Sequence, residues 1–211
     1  MVATLPISKT ILAIADVEDK FQLFPCTAPT FFREWQENLP ALTEIEQAAL
    51  DRLLIRFAAH RRRGILAEGA VDKLMISPLL DLAGFYEPEY EVRTEESVEF
   101  ALEGDEEILR GRIDTLIVRD YLWVLVIEAK RTIMASLALP QALSYMMCNP
   151  QPEIPSFGLI TNGDEFIFLK AIVQPTPLYS ASRLYSIFFP TGSQDLAEVF
   201  RVLKNIKNQV G

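Results

Sequence analysis

Histidine occurs once in this 211-residue chain, as His60, and cysteine only twice, as Cys26 and Cys148. That count excludes a zinc constellation of histidine and thiolate ligands. Two cysteines are also too few for a disulfide framework, so a reduced, cytoplasmic setting is expected. Long apolar runs are missing as well. The first, Ile11 to Ala15, is interrupted at once by Asp16, Glu18 and Asp19 and has no basic segment before it. No stretch approaches the ~20 apolar residues of a membrane-spanning helix, and neither a signal peptide nor a bilayer span is expected. A Gly-x-x-x-x-Gly-Lys-Ser/Thr phosphate loop is nowhere present, so ATP-driven translocation is not expected of this chain. Positive charge is in deficit too. Twenty lysines and arginines against 29 acids leave a net charge of −9 and a pI near 4.8. Such a surface does not cling to phosphates indiscriminately. Any nucleic-acid role must rest on a local basic patch, a metal ion or a partner.

What is present is ordinary globular composition, 50% hydrophobic and 23% charged, in a length that suits one domain with a substantial core. Residues 65–211 read as the main domain and 1–64 as an N-terminal extension with its own helix, the two forming one compact unit. Within residues 1–40, apolar clusters at Ile7 to Ala15 and Phe21 to Phe24 are broken by Pro25, Pro29 and Pro40. They read as short extended or helical pieces, either a homodimer arm or packing. Thr43-Glu44-Ile45-Glu46 matches a capping box and opens a helix with Leu50, Leu53, Leu54 and Phe57 at helical spacing. It stops at Arg61-Arg62-Arg63-Gly64, where the arginines suit either the negative end of the dipole or a phosphate contact.

A second helix is expected from about Glu68 to Ala83, closed by Gly84, with Pro78 kinking it or restarting it behind Ser77. Glu68 falls on or beside its inward stripe, although an acid in a first turn is favourable through the dipole alone. Strands are expected at Tyr90 to Thr94 and Ser97 to Leu102, then an acidic turn over 103–107. Farther on come a helix from about Ser136 to Cys148, a hairpin around Asn162-Gly163, a strand at Tyr185 to Phe189 and a last helix capped by Ser193. This order of elements predicts an α/β or α+β fold, a mixed sheet with helices on its faces.

The centre of the chain is two apolar, β-branched arms, Ile113 to Val118 and Leu122 to Ile127, joined at Arg119-Asp120. Pairing them sets Asp114 opposite Ile127 or Glu128, according to whether the loop holds two or three residues. Glu128 and Lys130, two apart, share a face. Glu68, Asp114 and Glu128 are thus three carboxylates able to converge beside Lys130. Oxygen-only donors suit Mg²⁺ or Mn²⁺, which lowers the pKa of a bound water and neutralises charge on a phosphodiester. Lys130, at the end of a buried strand, suits orienting or deprotonating that water.

At these residues the chain resembles the PD-(D/E)xK phosphodiesterase superfamily. The resemblance is carried by Asp114 closing Gly-Arg-Ile-Asp, by Glu128-Ala129-Lys130 and by Gln141-Ala-Leu-Ser-Tyr145, which is similar to a QxxxY element. It is nearest in kind to the N-terminal nuclease domain of type I restriction enzyme motor subunits, where a helix-opening acid and a Thr-Asn-Gly-Asp hairpin, here Thr161 to Asp164, also occur. It spans roughly Glu68 to Ala171, and Ile113 stands where many members carry proline. The resemblance implies a restriction-endonuclease-like fold and Mg²⁺-dependent, restriction-type DNA cleavage, alone or beside separate motor or specificity subunits. It implies that Asp114, Glu128 and the carbonyl of Ala129 hold the metal. Glu68 would complete or support that set, and Lys130 would handle the water. Gln141 and Tyr145 would touch DNA or brace the site. Arg110, Arg112, Arg119, Lys130 and Arg131 would form the local basic rim that the acidic average conceals. The rival reading is a catalytically silent nuclease-fold module that binds or assembles with protein partners. Two-carboxylate sugar hydrolysis is disfavoured, because Lys130 beside Glu128 would push a general acid's pKa the wrong way.

Overall fold

The computed structural model describes residues 3–101, 107–119, 122–129, 135–188 and 192–209. The chain begins with β1 (Ala3–Pro6), α1 (Ile7–Thr10), α2 (Ile14–Phe21) and β2 (Phe24–Pro25), followed by the long α3 (Glu44–Arg61). Next come α4 (Glu68–Val71), a π-helical turn (Asp72–Ile76) and α5 (Ser77–Ala83) in one continuous run. The strands β3 (Glu91–Ala101), β4 (Glu107–Arg119) and β5 (Leu122–Ala129) precede α6 (Ala135–Met146). The chain closes with β6 (Ser156–Thr161), β7 (Glu165–Ile172), β8 (Leu178–Ala181), β9 (Tyr185–Ser186) and α7 (Gly192–Gln209).

The nine strands among the described residues belong to one mixed sheet. β3 lies antiparallel along one side of β4 from Ile108 to Val118. Two strands share the other side: β1, parallel, against Glu107–Arg110, and β5, antiparallel, against Thr115–Arg119. The sheet continues through β6, β7 and β8 to β2, with β9 beside the start of β7. Side chains alternate between two cores. Phe157, Leu159, Phe166 and Phe168 pack on one face with α3, α5 and α7. Ile160, Leu169 and Ala171 pack on the other with α1, α2 and α6. This is the mixed-sheet α+β architecture that the order of elements predicted. Among the described residues no helix is long and apolar enough to cross a membrane.

Local chemistry explains the helices. Thr43 Oγ1 accepts from Glu46 N at 3.2 Å and Glu46 Oε2 accepts from Thr43 N at 2.7 Å, the reciprocal cap expected at the start of α3. A new α-helical segment, α5, starts at Ser77 with Pro78 in its first turn, the restart that was one of the two expected outcomes. The Ser77 N–H reaches back five residues to the Asp72 carbonyl, and this widened turn relieves the clash a proline ring makes with the preceding turn. Ser193 is not the cap of α7, because it lies inside the helix's first turn. The expected break between two strands at 95–96 is absent too. β3 runs through it, with Glu95 alone at φ +54°. Only Tyr185–Ser186 of the expected strand at 185–189 is a strand among the described residues, and the acidic turn over 103–107 lies outside them up to Glu107, which opens β4.

α3 is tied to α7 by Lys204 Nζ, 2.5 Å from Glu46 Oε1. Burial alone would raise the Glu46 carboxyl; the bonds from Lys204 and Thr43 outweigh it and hold the group below its ordinary range. A carboxylate depressed in this way stabilises the fold above its unfolded pKa, and the contribution disappears as pH falls through the folded value. Glu46→Gln is expected to lose about 1–2 kcal/mol in urea unfolding at neutral pH. The gap to the parent should close on acidification below about pH 4. A gap that stays constant across that range would show that the charge on Glu46 contributes nothing.

Candidate functional site

The described pairing of β4 with β1 stops at Arg110, and that with β5 stops at Thr115. Residues 111–114 therefore lie in the fork between two departing strands. Tyr145, on α6, fills the fork from the face it shares with α1 and α2. It is 1% exposed, its hydroxyl accepts from Gln141 Nε2 at 2.7 Å, and the backbone N–H of Arg112 donates to it at 3.4 Å. Gly111 is required there, because a Cβ would drive into the Tyr145 ring. The four-residue spacing of Gln141 and Tyr145 thus supports β4 two residues before Asp114. Buried as it is, Tyr145 offers no surface to a ligand.

The register of β4 on β5 is decided by a bulge. Arg119 pairs with Leu122 and Val118 with Trp123, as a two-residue connection requires. Between Ile117 and Val118 the register then slips by one, so that Ile117 pairs with Leu125 and Thr115 with Ile127. The described ladder ends there, so Ile127, one of the two residues expected opposite Asp114, is paired with Thr115.

β4 also rotates at this point. Ile113 and Leu116 both pack in the core beneath α6, whereas Ile117 packs in the other. Strict alternation would place residues 113 and 116 on opposite faces. Consequently Asp114 and Thr115, although consecutive, both line one cavity of about 280 Å³ together with Glu68, Asp72, Glu95 and Arg112. Glu68 reaches it from the first residue of α4, with Asp72 one turn later. The structure therefore brings Glu68 and Asp114 to one cavity.

The described arginines of the basic rim are already engaged. Arg112 lies 3.5 Å from Glu95 and Arg110 2.7 Å from Glu99, while Arg119 lies 5.8 Å from the centre of the Tyr90 ring. Arg61 pairs with Asp164 of the Thr161–Asp164 turn and lies over the Phe188 ring. Burial lowers its pKa. In that turn Asn162 Oδ1 accepts from the N–H groups of Asp164 and Glu165 at 2.9 and 2.8 Å.

Lys130 and Arg131 lie outside the described residues, and Glu128 and Ala129 are placed by their backbone alone. Among the described residues no three His, Cys, Asp or Glu side chains are grouped closely enough to hold a metal ion. The donor types nonetheless fit a hard cation. The cavity offers carboxylate oxygens with no nitrogen or sulfur ligand among its lining residues, and Mg²⁺ typically takes only one or two carboxylates, keeping water and phosphate oxygens for the rest. Glu95 and Asp72 were not singled out by the sequence. Asp72 could have been found from its four-residue spacing after Glu68. Glu95 had no such signal, because its Thr-Glu-Glu-Ser surroundings look like a strand break.

Comparison with known families finds no family model that matches the chain, and a search of curated proteins finds no relative.

The fit of Tyr145 into the fork is testable as a coupling. Gly111→Ala should destabilise by about 1–3 kcal/mol through overpacking. In a Tyr145→Leu background the same substitution should be less costly by at least about 0.5 kcal/mol. Strictly additive urea midpoints would show that Gly111 and Tyr145 do not constrain one another.

Proposed function

We propose that the protein is a metal-dependent DNA endonuclease of the PD-(D/E)xK kind, hydrolysing phosphodiester bonds in a restriction-type role. The observation that carries the reading is that Glu68 and Asp114 line one cavity, where Asp114 is the next residue of β4 beyond the last described β4–β5 pair, Thr115–Ile127. In this reading Asp114, Glu128 and the Ala129 carbonyl hold Mg²⁺ or Mn²⁺, with Glu68 completing or orienting that set. The cation, when bound, supplies charge neutralisation on the scissile phosphate and a more acidic water. Lys130 orients that water and takes up its proton, and its charge offsets the developing phosphorane. Arg112 is positioned to exchange Glu95 for a phosphate oxygen. Both partners of that pair are more than half exposed, and pairs of this kind hold by only about 0–1 kcal/mol. Gln141 and Tyr145 position β4 and touch no substrate. A cytoplasmic setting, in which Cys26 and Cys148 remain free thiols, goes with this reading.

A second reading, a silent module of the same architecture serving as a binding or assembly subunit, is favoured by the ion-paired state of Arg110 and Arg112, which neutralises those two positions of the rim. Plasmid nicking separates the two. With Mg²⁺ or Mn²⁺ the parent should relax supercoiled DNA. Asp114→Ala and Lys130→Ala should lose at least about 100-fold, and Glu68→Gln about tenfold. Variants that cut as well as the parent would overturn the site. No cutting with any divalent ion, together with a stable complex with another chain, would establish the silent module.

A further inference from the structure

On the outer side of the helical layer, α3 and the run from the π turn through α5 enclose a groove of about 560 Å³. The α3 wall is Ile45, Ala48, Ala49, Arg52, Leu53 and Arg56, one stripe at helical spacing. Its twelve residues, Ile45 to Arg56, span about 16 Å, room for three turns of a second helix. Lys73, Leu74, Pro78 and Leu82 form the opposite wall. Two small residues in the floor let a backbone approach closely, and Ile45 stands 81% exposed.

The cations of this rim are among those that no described acid pairs, as are Lys9, Arg62 and Arg63. Arg33, Arg61, Arg93, Arg110, Arg112 and Arg183 are each paired with an acid. Arg52, Arg56 and Lys73 have no such partner among the described residues. Three cations against Asp81, the one acid in the lining, leave the groove at +2 in a protein whose net charge is −9. From this charge complementarity and the apolar floor we infer that the groove is a docking site for an acidic amphipathic helix of a partner protein. The partner's apolar side chains at i, i+3 or i+4 and i+7 would lie against Ala49, Leu53, Leu74 and Leu82, with its acids against Arg52, Arg56 and Lys73. A phosphate backbone would use the cations and leave the apolar floor without a role. The inference is independent of the metal chemistry. The two regions do share an element, because Asp72 and Ile76 line the carboxylate cavity while Lys73 and Leu74 face the groove.

The test selects fourteen-residue helical peptides from a random displayed library on the full chain. Selected sequences should be acidic, with apolar residues at that same helical spacing, and their binding by fluorescence anisotropy should weaken with salt. Arg52→Glu/Arg56→Glu and the groove-filling Ala48→Trp should each weaken binding at least about tenfold, while Lys9→Glu on the opposite layer should not, all variants having parental circular dichroism. Failure to select any peptide, or peptides indifferent to the groove substitutions, would overturn the proposal. So would a DNA duplex that displaces the peptides and loses its own affinity in Arg52→Glu/Arg56→Glu, which would make the groove a nucleic-acid track.

Discussion

Between Arg110 and Thr115, β4 has left β1 and, among the described residues, has not yet met β5. A gap inside a sheet exposes backbone groups that must find partners elsewhere, and here the Tyr145 hydroxyl takes the Arg112 N–H. A phenol serves this position because its ring is large enough to fill the fork and its oxygen still reaches the strand. The glycine at 111 and the glutamine at 141 go with that choice, one making room for the ring and the other donating to its oxygen. With the fork propped, β4 can rotate at residues 113–116 and bulge at 117–118 without the two cores losing their packing. Those two irregularities go with the entry of Asp114 into the cavity and with the pairing of Ile127 to Thr115.

The opposite face of the fork is built by a helix that also departs from regularity. A proline at 78 would ordinarily cost an α-helix about 3 kcal/mol. The π turn absorbs it and keeps Val71, Met75, Ile76, Leu79 and Leu80 all buried in one core. The same run carries Glu68 and Asp72 toward the carboxylate cavity and Lys73 and Leu74 toward the outer groove. One helical segment thus separates two chemically different surfaces, one acidic and one basic with an apolar floor.

Ion pairs divide into those that fasten the fold and those that leave side chains available. Lys170 and Glu34 are 12% and 13% exposed at 2.6 Å, and fasten the long 26–43 connection to β7. Breaking such a pair strands a buried charge, at about 3–5 kcal/mol. The rim pairs Arg110–Glu99 and Arg112–Glu95 are mostly exposed and amount to about 0–1 kcal/mol. Screening by salt or a competing anion can open the second kind without disturbing the first.

By itself, the sequence determined the features that depend on near neighbours along the chain. The Thr43–Glu46 cap, the buried stripe of α7, the two apolar arms of β4 and β5 and the Asn162-Gly163 turn all arise from spacing and side-chain chemistry within a few residues. Short strands were not legible. β1, β2 and β8 have two to four residues each, too few to display a period, and only neighbours already in the sheet make them strands. The site was legible as a set of residues and not as a geometry. That Ile127 pairs with Thr115 depended on a bulge that no local motif announces, and the entry of Glu95 and Asp72 into the cavity depended on how β3 and the π turn lie against β4. Register and facing are set by packing between segments distant in sequence, so only the tertiary structure could decide them.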